Sequence, residues 1–132
     1  MILTDSSSVL KTLLGLAIGW TVLIAVLCLF KFTNISSFGI SEADKYVHFA
    51  LHFVFTILWG LYAWKKQNKM RLNKIAIIVV ISLCYGILIE ILQETCTTTR
   101  HADIFDVLAN ASGATIALVV LVLIKKRKQT TR

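Results

Sequence analysis

Apolar residues fall into four blocks along this chain, divided by short polar stretches. A membrane's hydrocarbon core takes about 20 predominantly apolar residues of α-helix. The pattern therefore predicts four spanning helices, over about residues 13–32, 43–64, 75–93 and 103–124. The first block is too long for the apolar core of a signal peptide and no small-x-small cleavage site follows it, so it reads as a permanent anchor. Polar residues intrude where the blocks begin and end. The apolar run from Ile75 to Ile89 leads directly into Glu90, and the run from Val107 to Ile124 starts beside Asp106 and carries Asn110 one turn inside. Charged groups at a bilayer centre cost about 2.5–3.5 kcal/mol each on insertion scales, and intramembrane ones usually mark function.

Their spacing is helical. Asp103, Asp106, Asn110, Gly113 and Ala117 step by three and four and share one face, polar at its start and small further down. Such a face suits close packing against a neighbouring helix. Asp44, His48 and His52 follow at four-residue intervals in the second block, with Lys45 beside them. Gly86, Glu90 and Gln93 or Glu94 align in the third. Trp59, Tyr62 and Trp64 gather near a lysine cluster, as an interfacial aromatic belt would.

Composition adds little beyond scale. In 132 residues, 57% are hydrophobic, 16% are charged and none is proline, which leaves room for one all-α, four-helix integral membrane bundle. Residues 1–12 form a short N-terminal segment, 13–124 the membrane domain and 125–132 a basic tail. The three cysteines show no spacing for a disulfide framework or zinc site.

Charge changes the picture more. The net +7 is not spread as in a nucleic-acid-binding surface. Basic residues lie in two clusters, Lys65-Lys66-Lys69-Arg71-Lys74 and Lys125-Lys126-Arg127-Lys128 with Arg132, each flanking an apolar block. Flanking positive charge sets orientation, so both termini and the loop between the second and third helices are expected in the cytoplasm. Six of the seven acids, Glu42, Asp44, Glu90, Glu94, Asp103 and Asp106, then fall on the extracytoplasmic side. Membrane lipids are the expected partners and nucleic acid is not; oligomeric state is left open.

Three helix ends thus present Asp44, Lys45, His48 and His52; Glu90, Gln93 and Glu94; and Arg100, Asp103, Asp106 and Asn110. Asp44-Lys45-x-x-His48-Phe49, Glu90-x-x-Gln93 and Arg100-x-x-Asp103-x-x-Asp106-x-x-x-Asn110-x-x-Gly113 together resemble the signature of VanZ-like membrane proteins, over roughly residues 42–117. That resemblance implies a multi-pass protein of the cell membrane with an envelope role, and a link to low-level resistance to the glycopeptide teicoplanin. Two positions depart from the family pattern. His52 stands where an aromatic, often tyrosine, is common, and Ala117 where glycine is common.

The expected function is binding or modification of an envelope lipid headgroup or lipid-linked wall precursor at the extracytoplasmic face. Lys45 and Arg100 would meet phosphate, with Asp44, Gln93, Asp103 and Asn110 completing the ligand-binding set. The alternative is a membrane-embedded hydrolase or transferase acting on a phosphate-bearing headgroup. Glu90 or Asp106 would then be the general base, His48 its acid–base partner and Arg100 the charge stabiliser. Structural roles compete at each position. Asp103 would cap the fourth helix with Asp106 in its first turn, Arg100 would pair with Glu90 or Asp106, Lys45 would snorkel, and Gly113 would be a packing contact. His48 and His52 have metal-ligand spacing, but residues 49–51 are Phe, Ala and Leu, without the glutamate of the helical zinc motif. No metal and no cofactor are expected. Transport is disfavoured because the cytoplasmic halves of the helices are apolar.

Overall fold

The computed structural model describes residues 6–29, 43–97 and 101–130. They form four α-helices: α1 (Ser6–Leu29), α2 (Ala43–Gln67), α3 (Leu72–Cys96) and α4 (Ile104–Thr130). All four are long and apolar enough to cross a membrane. No proline interrupts any of them. α2, α3 and α4 each run past their apolar block into polar sequence, and α1 starts seven residues before its block. An apolar run marks the stretch that lipid can cover, whereas the helix continues as long as its backbone ladder does.

The chain stops between helices for identifiable reasons. Asn68 takes a left-handed conformation (φ 48°) after α2, a region asparagine enters more readily than most residues. At α4, Asp103 is the N-cap. Its carboxylate Oδ1 accepts from the Phe105 amide at 2.8 Å, and its carbonyl accepts from Asp106 and Val107. At the end of α3, the amide and hydroxyl of Thr97 both donate to the Gln93 carbonyl, at 3.2 and 2.7 Å.

Side-chain contacts fix the directions. Tyr85 Oη donates to the Thr21 carbonyl and Gln93 Nε2 to that of Cys28, so α1 and α3 run parallel. His48 meets Asn110 while Gly60 meets Leu121, so α2 and α4 run parallel. The result is an up-down-up-down bundle in which α2 against α4 is the most extensive seam. Two glycines make that seam possible. A Cβ at Gly113 would strike the Phe49 carbonyl, and one at Gly60 would strike the Leu121 side chain. Among the described residues α1 packs on α2 and α3 and not on α4.

The surface and interior are inverted relative to a soluble bundle. Leu16, Val22, Ile77, Val80, Ile87, Leu108, Ile116 and Val119 face outward, while His48, His52, Thr56, Ser82, Glu90, Gln93, Asp106 and Asn110 are buried. Lipid-facing apolar side chains around a polar interior are what a bilayer selects. Trp59 differs from the expected belt role. It packs in the α1–α2 seam and donates to Thr21 Oγ1 at 3.2 Å. Tyr62 and Trp64 sit under Lys66 and Lys128, with Lys128 Nζ 4.6 Å from the Trp64 ring centre.

Candidate functional site

At the acidic end of the bundle, the first turns of α2 and α4 meet the last turns of α3. Helical spacing turns His48, Glu90, Asp106 and Asn110 inward, and all four are at least nine-tenths buried. His48 stands at the centre. Its Nδ1 lies 3.2 Å from Asn110 Oδ1 and 3.8 Å from Glu90 Oε1, and its Nε2 lies 3.7 Å from Asp106 Oδ2. An amide oxygen only accepts, so Nδ1 carries a proton and donates to Asn110.

Glu90 is held from one side. Its Oε2 accepts the Asp103 amide at 3.1 Å, tying the end of α3 to the start of α4. Its Oε1, the Oδ1 of Asp106 and the Nδ2 of Asn110 are buried without a hydrogen-bond partner. An orphaned buried polar atom ordinarily costs about 1–3 kcal/mol. Three of them within one cluster is more than packing alone accounts for. Gly86 lines the same place, since a Cβ there would come 2.7 Å from Asn110 Nδ2 and 3.2 Å from His52 Cε1.

The other expected site residues divide. Lys45 sits at the rim, 3.5 Å from Asp103 Oδ2 and 4.0 Å from Asp44 Oδ1, with its ammonium 5.8 Å from the Phe105 ring centre. Asp44 is exposed beside it. Asp103 therefore has two structural partners, its own helix and Lys45. Gln93 is buried and spans to α1, giving its amide to the Cys28 carbonyl at 2.9 Å. Glu94, outside the cluster, accepts the Ala102 amide at 2.8 Å and pairs with His101 at 3.5 Å, which staples the loop leading into α4. Arg100 lies outside the described residues.

A sequence profile of the VanZ/LLP1 family matches residues 21–125, which takes in every residue of this cluster. The chain belongs to the VanZ/LLP1 family. No curated protein and no solved structure gives a significant match. In this VanZ/LLP1 protein His52 does not join His48. Its Nδ1 instead faces Ser82 Oγ at 2.8 Å, one turn deeper between α2 and α3. The i, i+4 pair read from the sequence is thus split between two partners. Ala117, fully buried, continues the small face of α4 below Gly113.

Ser82 is the residue that sequence reasoning missed. The signal was present, because Ser82, Gly86 and Glu90 step by four along α3. Thr21, whose carbonyl and hydroxyl both accept bonds from aromatic side chains, left no comparable trace.

Proposed function

We propose that this VanZ-family membrane protein binds a phosphate-bearing envelope lipid headgroup, or a lipid-linked wall precursor, at the extracytoplasmic end of its bundle. The observation that carries the reading is the buried cluster of His48, Glu90, Asp106 and Asn110, with unmatched polar atoms, beside the cationic rim residue Lys45. A bundle held together only by apolar packing has no use for such a group. Charge supports this orientation: Lys65, Lys66, Lys69, Arg71 and Lys74 and the basic end of α4 lie at the opposite end, the one the positive-inside rule favours for the cytoplasm. Arg100, adjoining the acidic end in sequence, supplies the second phosphate contact.

Native mass spectrometry of the chain released from lipid nanodiscs tests this. A phosphate-bearing lipid should stay bound to the wild type and leave readily from Lys45→Ala and Arg100→Ala. Equal retention by all three chains would exclude the reading.

A second reading is favoured by one feature, the carboxylate on each side of the His48 ring. Such a trio is suited to general acid–base work in a hydrolase or transferase. The two separate on Glu90→Gln, which should abolish turnover and spare headgroup affinity in an enzyme, and should mainly weaken affinity in a binding protein. The envelope role extends to glycopeptides if deleting the gene lowers the teicoplanin concentration that stops growth.

A further inference from the structure

We infer that His48, Glu90 and Asp106 form a binding site for one divalent transition-metal ion of the zinc–manganese class. One potential ligand atom from each lies within 4.8 Å of the other two, and all three residues are buried. This trio replaces the His48–His52 pair that sequence spacing suggested, since His52 is engaged by Ser82.

The distances suit an ion better than they suit direct contact. At 3.7 and 3.8 Å the His48–carboxylate separations are too long for hydrogen bonds. Ligands at about 2.0–2.2 Å from a tetrahedral ion stand about 3.4 Å apart. His48 Nε2 and Asp106 Oδ2, 3.7 Å apart, nearly span that edge, and Glu90 Oε1, which lies 3.8 Å from the other ring nitrogen, would rotate toward Nε2 to join them. The cluster is also pre-oriented as metal sites are. The Nδ1–H of His48 is held by Asn110 Oδ1, which fixes the ring and leaves the Nε2 lone pair beside Asp106. Glu90 is clamped through Oε2 by the Asp103 amide, leaving Oε1 as the unengaged oxygen.

Electrostatics points the same way. Two buried carboxylates beside a histidine lone pair repel one another in a low-dielectric interior. One dication between them removes that repulsion and at once engages Glu90 Oε1 and Asp106, whose Oδ1 is otherwise orphaned. One imidazole with two carboxylates is a borderline-to-hard donor set, which suits Zn²⁺ or Mn²⁺ and disfavours the thiophilic Cu⁺. Three protein ligands leave coordination positions open, as in catalytic metal sites. What would fill them, a phosphate oxygen, rests on the headgroup reading above; the ion itself does not.

The test uses the full chain, purified in detergent without added lipid. Metal content is measured first, then the chelator-stripped protein is titrated with Zn²⁺ and Mn²⁺ separately. One equivalent of at least one of these ions should bind saturably and raise the melting temperature. Glu90→Gln and Asp106→Asn, nearly isosteric, should each weaken it by about tenfold or more, since losing even an outer partner of a metal ligand costs that much. His101→Ala, at an exposed histidine paired with Glu94, should leave binding unchanged. No saturable binding of either ion to the wild type would overturn the site, as would full affinity in Glu90→Gln or Asp106→Asn chains shown to be folded by circular dichroism. Because lipid is absent, failure here leaves headgroup binding standing. Conversely, a chain that binds the ion here but carries no phosphate-bearing lipid out of nanodiscs would remove the headgroup reading alone.

Discussion

A methyl group at Gly113 would run into the backbone carbonyl of Phe49, and a backbone cannot swing aside as a side chain can. Gly113→Ala should therefore separate α2 from α4 and lower stability by roughly 1–3 kcal/mol, the usual range for overpacking. Reversible unfolding in mixed detergent measures this. Gly19→Ala is the control: nothing lies within 4 Å of a Cβ there, so it should be neutral or slightly stabilising. Gly60→Ala should fall between them, since the obstructing group is the end of the Leu121 side chain. The same contrast explains why Gly113 was legible in the sequence and its severity was not. Position in a small-residue stripe shows that a neighbour comes close, but not whether that neighbour offers backbone or side chain.

At the scale of elements, α1 stands apart. It is tied to the rest by polar bonds at intervals: Trp20 to the Leu51 carbonyl, Tyr85 and Trp59 to Thr21, and Gln93 to the Cys28 carbonyl. Gln93 has the most buried of these bonds. Gln93→Ala should loosen the end of α1 by about 1–3 kcal/mol, the cost of stranding a buried polar group. Cys28 is a built-in reporter, being 3% exposed beside that bond. Its alkylation by a membrane-permeant maleimide should speed up in Gln93→Ala, while that of the exposed Cys84 stays constant. An unchanged Cys28 rate would show that Gln93 does not secure α1. From sequence, Gln93 read as a ligand contact because it shares a face with Glu90. Helical periodicity identifies the inward face of one helix and says nothing about which partner faces it. Asp103 raised the same ambiguity: its place ahead of the fourth apolar run fitted a cap as well as a ligand contact, and its bond to the Phe105 amide shows the cap. His48, Asp106 and Asn110 were placed more securely, because each sits within or beside an apolar run where a polar group must find polar company.

For the whole molecule, the four helices and the separation of charge followed from hydropathy and basic clusters, since the bilayer imposes both on any chain that crosses it. Orientation is tested by Thr98→Cys in a chain lacking its native cysteines. A membrane-impermeant thiol reagent should label it in intact cells, and labelling only after the cells are opened would turn the acidic end to the cytosol. The cluster has one more consequence, concerning the order in which the chain is made. His48 and Glu90 emerge from the ribosome before Asp106 and Asn110, so α3 must enter the bilayer while its carboxylate still lacks half of its surroundings. Maturation therefore waits on the last helix. A chain truncated before α4 would hold Glu90 against lipid or lipid-bound water, without the Asp103 amide and the Asp106 and Asn110 side chains that surround it in the finished bundle.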